Sequence, residues 1–140
     1  MRHPLHPALV HFPIACWSIA TGADIAGLWW PAAITLAAAV LIIGLVSALA
    51  AMTAGLVELR RIGGQHPASR DVDRHMIWAM SAWGLYAMSL FARLHGARLV
   101  PPGMLAMSLS AAGFVCLAIA GWLGGRLVYH HGLGVRAGIG

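Results

Sequence analysis

Four long apolar segments, separated by short polar stretches, constrain the fold of this chain more than any other feature. They run from about residue 7 to 28, 31 to 59, 72 to 94 and 102 to 129. Each reaches the ~20 residues that a helix needs to cross the hydrocarbon core of a bilayer. The sequence therefore predicts an all-α, four-helix transmembrane bundle in a single domain, residues 1–140, with no obvious sequence repeat.

The charge content agrees with a membrane protein that contacts lipids. Only 9% of the residues are charged and 60% are hydrophobic, whereas soluble domains carry roughly 25% charged residues. All nine basic residues are arginines, and they lie near the ends of the predicted spans. The basic isoelectric point is therefore attributed to headgroup anchoring, and no nucleic-acid partner is predicted.

Four spans place both termini at the same end of the bundle, which we call rim A; the opposite end is rim B. Rim B holds Arg93 and Arg98, and rim A holds the other seven arginines. Because cytoplasmic loops are enriched in basic residues, this asymmetry predicts that both termini are cytoplasmic. The rim A arginines are Arg2, Arg60, Arg61, Arg70, Arg74, Arg126 and Arg136.

The same topology gathers the histidines at rim A. Only His95 of the eight falls at rim B. Ionisable side chains near lipid are costly unless they are paired or bound, so the cluster is a site hypothesis. The rim A histidines are His3, His6, His11, His66, His75, His130 and His131. On the same grounds Asp24, deep in the first span, is expected to pair with an arginine such as Arg93 or to line a proton or quinone path.

Each predicted span carries a narrow stripe of small residues, and three of the stripes end in a histidine at rim A. Such stripes either allow helices to pack closely or leave room for a flat ligand. The histidine-topped stripes contain His11, Ala15, Ser18 and Gly22; His75, Ala79 and Ala82; and Gly113, Gly124 and His131. The second span contributes Gly44, Ala48, Ala51 and Gly55, and this stripe points toward Glu58.

Neutral imidazole ligates iron, zinc and copper, so the stripes indicate a metal or haem site. His11 and His75 are the first-choice axial ligands of a haem b, because each tops a stripe at the same depth. His131 or His130 is the leading substitute, and His6 would serve a second site. Spacing alone does not separate these pairs. Arg74 and Arg126, with Arg60 and Arg61, are placed to pair with haem propionates.

Two long motifs resemble the signatures of a bacterial membrane family, domain of unknown function 2231. They are residues 3–15 (HPLHPALVHFPIA) and residues 121–134 (GWLGGRLVYHHGLG), and the DRH element at 73–75 also fits. The resemblance implies a four-span inner-membrane domain whose relatives are fused to Rieske or cytochrome c modules. That redox context favours haem b over zinc. The motif histidines are His3, His6, His11, His75, His130 and His131.

The sequence is therefore interpreted as a bacterial inner-membrane b-type haem protein with bis-histidine ligation, acting in electron transfer and not as a stand-alone enzyme. Its expected partners are a quinone or a membrane redox protein. Six motif histidines exceed the needs of one haem, so one or two haems are compatible. Two alternatives stay open: a non-haem Zn, Cu or Fe site formed by residues such as His11, His75 and His131, or a cofactor-free structural subunit. A homo-oligomer is compatible with each of them.

Overall fold

The computed structural model describes residues 5–60 and 67–133, and in this part of the chain it is almost entirely helical. The elements, in chain order, are α1 (Leu5–Ala26), α2 (Ala32–Leu59), α3 (Ser69–Phe91), β1 (Leu94–His95), β2 (Arg98–Leu99) and α4 (Met104–Tyr129). The predicted all-α architecture with four helices is confirmed. No helix boundary differs from its predicted position by more than three residues.

Three of these helices, α1, α2 and α4, are long and apolar enough to cross a membrane. Helix α3 has 23 residues, but its first two turns carry several charged side chains, among them Arg70, Asp71 and Arg74. It nevertheless runs antiparallel along α4: the side chain of Ser89 bonds Ala106 O near one end, and that of His75 bonds Ala120 O near the other. Helix α3 therefore extends through the same depth as α4.

The four helices form two antiparallel hairpins, α1 with α2 and α3 with α4. Glycines on α2 and α4 receive aromatic or imidazole rings from the facing helix. In the first hairpin, a Cβ added at Gly44 would lie 2.5 Å from Trp17 Nε1, and one added at Gly55 would lie 2.9 Å from His6 Nδ1. In the second hairpin, a Cβ added at Gly113 would lie 3.0 Å from Tyr86 Cδ2, and one added at Gly124 would lie 3.4 Å from His75 Cε1. On these two helices the small residues serve close packing within each hairpin.

The two hairpins repeat the same contacts 69 residues apart. Gly44 and Gly113 are equivalent (113 − 44 = 69), as are Gly55 and Gly124 (124 − 55 = 69), and each receives a ring from the equivalent position of the facing helix. Identical residues are sparse at this offset, which is why no repeat is evident in the sequence. The fold thus contains an internal duplication.

Equivalent positions of α1 and α3 also meet each other between the hairpins. The ring centroids of His6 and His75 lie 6.2 Å apart, and those of Trp17 and Tyr86 lie 4.8 Å apart in a stacked arrangement. Asp24 and Arg93, again 69 residues apart, form an ion pair. Contacts between equivalent positions are those expected at a twofold axis. The hairpins are therefore related by a pseudo-twofold axis running from rim A to rim B.

The buried ion pair joins the hairpins at rim B. Arg93 donates from Nη1 to Asp24 Oδ1 over 2.7 Å and from Nη2 to Asp24 Oδ2 over 2.6 Å. Its Nη2 also donates to Ser89 Oγ and Ser110 Oγ, each at 3.0 Å. The Arg93 and Asp24 side chains are 1% and 2% exposed. The expectation that Asp24 pairs with an arginine is confirmed.

After α3 the chain leaves the helix and forms a short two-stranded β-turn structure, in which β1 and β2 pair antiparallel. Leu94 pairs with Leu99 and His95 with Arg98, and Gly96 at the turn has φ +63°. This left-handed conformation is accessible to glycine at little cost. His95 is consequently exposed at rim B.

Candidate functional site

His6 and His75 face each other across the pseudo-twofold axis at rim A. Their ring planes are nearly perpendicular, at 84°. Both side chains are partly buried. His6 comes from the first turn of α1 and His75 from the second turn of α3. The structure therefore brings together one imidazole from each hairpin.

Each of these imidazoles is attached to a backbone carbonyl of the facing helix in its own hairpin. His6 Nδ1 lies 2.7 Å from Ala51 O, and His75 Nδ1 lies 2.9 Å from Ala120 O. A carbonyl oxygen only accepts, so Nδ1 carries the proton and donates it in both bonds. In the neutral ring Nε2 then keeps its lone pair. A carbonyl bond of this kind fixes the tautomer and ring orientation of a metal-ligating histidine.

The spacing of the two rings fits a single metal bound between them. Metal–nitrogen distances of ~2.0–2.1 Å would allow two imidazoles that share one metal to have ring centroids up to about 6.4 Å apart. The observed separation is 6.2 Å. Two imidazoles are fewer than the three or four protein ligands of a typical zinc site. A haem iron takes its other ligands from the porphyrin, so two histidines would be enough to hold it. His6 and His75 would therefore be the residues that hold a haem b at this site.

The structure does not bring His11 to His75 as the sequence analysis predicted. His6 and His11 are five residues apart, which places them about 140° apart around a helix. Because His6 faces the axis, His11 lies on the exposed side of α1. Ala15 and Gly22 of the same predicted stripe are also exposed. His6, predicted to serve a second site, takes the place opposite His75.

His131 is also held away from His75, by an acid at the start of α3. Its Nε2 lies 3.0 Å from Asp71 Oδ2, and Arg126 Nη2 lies 3.0 Å from the same oxygen. The exposed His130 meets His131 edge to face at 4.8 Å. Arg126 is therefore already paired with a carboxylate, which the sequence analysis did not foresee.

The remaining predicted residues have simpler placements. Arg74, next to His75, and Arg60, at the end of α2, are exposed. His3, His66 and Arg61 lie outside the described residues. Within residues 5–60 and 67–133, no group of three or more His, Cys, Asp or Glu residues is arranged to hold a metal ion. The three-histidine set His11, His75 and His131 is thus not assembled there.

Glu58 has a role that the sequence analysis missed, although it placed this residue near the site. Its Oε1 accepts hydrogen bonds from the backbone N–H groups of Leu5, at 2.6 Å, and His6, at 3.1 Å. The signal for the His6–His75 pair was present in the sequence as a spacing: each histidine precedes a glycine by 49 residues (55 − 6 = 49 and 124 − 75 = 49).

Comparison with known proteins identifies the family of the chain. The model of the DUF2231 family, described as predicted membrane proteins, matches residues 2–137. No curated protein and no solved structure matches the chain. The match covers both hairpins and the histidine pair between them. The chain therefore belongs to the DUF2231 family of predicted membrane proteins.

Proposed function

We propose that this protein is a b-type haem membrane protein that ligates the iron through His6 and His75 and transfers electrons. The observation that carries the proposal is the facing pair of imidazoles, 6.2 Å apart, each with Nδ1 attached to a backbone carbonyl. The carbonyl bond restrains the orientation of each ring, and such restraint would reduce the conformational entropy lost on ligation.

The chain's own residues would set the properties of such a centre. Haem iron held by two histidines supplies reversible one-electron chemistry. The carbonyls of Ala51 and Ala120 would raise the basicity of the two ligands through their Nδ1–H groups. Of the arginines predicted for the propionates, Arg74 directly precedes His75 in the sequence and is exposed, whereas Arg126 pairs with Asp71. Arg74 is therefore the preferred propionate partner.

The placement of charge supports an orientation in the membrane. Arg60, Arg70, Arg74 and Arg126 lie at the rim A ends of the helices, and basic residues favour the cytoplasmic side. We place rim A in the cytoplasm of a bacterial inner membrane, with the haem near the cytoplasmic leaflet. The electron partner proposed for this centre is a quinone or another membrane redox protein.

The visible spectrum of the full chain purified in detergent tests the proposal. We expect a Soret band, sharp α and β bands after reduction, and one haem per chain, since the described residues contain one such facing pair. His6→Ala and His75→Ala should each remove the low-spin spectrum. The matched controls His11→Ala and His95→Ala, at exposed histidines, should keep it.

Three outcomes would overturn the proposal. A colourless protein that carries stoichiometric zinc or copper would identify a non-haem metal site. A protein with neither pigment nor metal, after expression with an adequate haem supply, would support a structural subunit. An unchanged haem spectrum in His6→Ala or His75→Ala would show that the iron is ligated elsewhere.

A further inference from the structure

We infer that Glu58 is a positioning residue that holds the axial ligand His6 in place through the backbone of α1. This inference rests on the proposed haem ligation by His6 and His75. Glu58 would not itself ligate the iron, because its Oε1 accepts hydrogen bonds from the backbone of α1. It acts on the helix start from which the His6 ring projects.

The hydrogen bonds from Glu58 satisfy the start of α1. The first N–H groups of a helix have no partner within the helix. Helix α1 begins at Leu5, and Glu58 Oε1 accepts from the N–H groups of Leu5 and His6. A carboxylate is also favoured at this position because the helix dipole is positive at its N-terminus. Glu58 thus caps α1 from a neighbouring helix.

The two proposed ligands differ in how their own helices support them. His6 is the second described residue of α1, and its backbone N–H is held by Glu58. His75 is the seventh residue of α3 (75 − 69 = 6 residues after its first) and lies within the regular hydrogen-bond ladder. Helix starts fray readily. His6 lies closer to the described start of its helix than His75 does, so it gains more from an attachment to a neighbouring helix.

The internal duplication supports a role specific to His6. The position equivalent to Glu58 in the second hairpin is Leu127 (127 − 58 = 69), which cannot accept a side-chain hydrogen bond. The carboxylate therefore occurs only in the hairpin whose histidine lies in the first helical turn. The two hairpins thus differ at this position, and the difference affects only the helix that carries His6.

Helix α2 holds His6 at two points along one face. Ala51 O accepts from the ring, at 2.7 Å, and Glu58 accepts from the backbone at 2.6 and 3.1 Å. Gly55 lies between them, and the missing Cβ there leaves room for the ring. The spacing of four and three residues places all three on one face of α2. Together they fix the position and direction of His6.

Carbon monoxide binding to the reduced haem tests this role, because the gas binds iron only where an axial ligand leaves. We expect Glu58→Ala to raise the carbon monoxide-binding fraction at least about tenfold over wild type, since two hydrogen bonds to a charged acceptor are lost. Glu58→Gln keeps an acceptor oxygen and should lie close to wild type. The matched control is Asp71→Asn, which removes the charge of a buried carboxylate at rim A that has no contact with His6 in the described structure and should leave carbon monoxide binding unchanged.

The outcomes separate this inference from the proposed function. A wild-type protein without haem contradicts both. If the wild type is low-spin and Glu58→Ala binds no more carbon monoxide than the wild type, the role of Glu58 is overturned. The proposed ligation by His6 and His75 is not affected by that result. An equal rise in Glu58→Ala and Asp71→Asn also overturns it, because general loosening of rim A would explain both. Loss of haem from Glu58→Ala with retention in Glu58→Gln supports it.

Discussion

The buried pair of Asp24 and Arg93 is expected to hold the two hairpins together at rim B. Arg93→Met would leave the Asp24 carboxylate, 2% exposed, without its counter-charge. Removing one partner of a buried pair typically lowers the free energy of unfolding by ~3–5 kcal/mol. Both charge-assisted bonds, at 2.6 and 2.7 Å, are lost in this variant. We expect Asp24→Leu to cost a similar amount.

The double variant Asp24→Leu, Arg93→Met should be far less damaging than either single change. Replacing both members of a buried ion pair by apolar residues is often close to neutral, within about 1–2 kcal/mol. The local hydroxyls tolerate the loss, because Ser89 Oγ also donates to Ala106 O at 2.7 Å and lies 2.8 Å from Ser110 Oγ. The coupling energy between the two positions should therefore reach at least ~4 kcal/mol.

Equilibrium unfolding in mixed micelles, followed by tryptophan fluorescence, measures the free energy of unfolding of the wild type, the two single variants and the double variant. Trp17 lies in the core and reports its opening. The exposed Asp73 provides a matched control, since Asp73→Asn should change the free energy of unfolding by no more than about 0.5 kcal/mol. Single variants as stable as wild type, or a double variant whose loss equals the sum of the singles, would refute the reasoning.

The same unfolding assay checks two further changes on the pseudo-twofold axis. Gly44→Ala places a Cβ 2.5 Å from Trp17 Nε1, so we expect a loss of ~1–3 kcal/mol from overpacking. In the control Gly22→Ala the added Cβ meets nothing within 4 Å, so the free energy of unfolding should not fall. A fall in both variants would show that the glycine itself matters to the helix backbone and that the contact with Trp17 is not the cause. Tyr86→Phe removes a hydroxyl that lies 2.8 Å from Thr21 Oγ1 and should cost about 1 kcal/mol; no loss would mean that this bond does not contribute.

The helices and the rim B ion pair could be predicted from the sequence because both follow from the cost of exposing polar groups to lipid. Span length fixes the four segments. Asp24 near the end of the first span requires a cation at the same depth, and Arg93 follows the third span. Each of these predictions needs only position along the chain, and the structure agrees with both.

The identity of the facing histidines could not be predicted in the same way, because it depends on which side of α1 packs inward. His6 and His11 both lie near rim A, about 140° apart around the helix. The stripe of His11, Ala15 and Gly22 is as regular as the stripes that pack, yet its members are exposed. Composition of a stripe does not distinguish a surface that contacts lipid from one that contacts a helix.

The sequence alone allows the small residues of α2 and α4 to form either packing surfaces or a slot for a flat ligand. Packing accounts for Gly44 and Gly113, because the rings of Trp17 and Tyr86 already lie against them. At Gly55 the same packing places an imidazole, His6, at the axis. The same contact, a ring packed against a glycine, therefore occurs twice in each hairpin. One of the two contacts belongs to the core, and the other, at rim A, involves the candidate ligand.

The central claim is that His6 and His75 are the axial ligands of one haem, and the ferric electron paramagnetic resonance spectrum tests it most directly. If both imidazoles held the iron with their planes at 84°, two iron d orbitals would be nearly equal in energy, and the low-spin signal would have a large g anisotropy. We predict this signal in the wild type and its loss in both His6→Ala and His75→Ala. A rhombic low-spin signal, typical of parallel planes, or a low-spin signal that survives either substitution, would contradict the account.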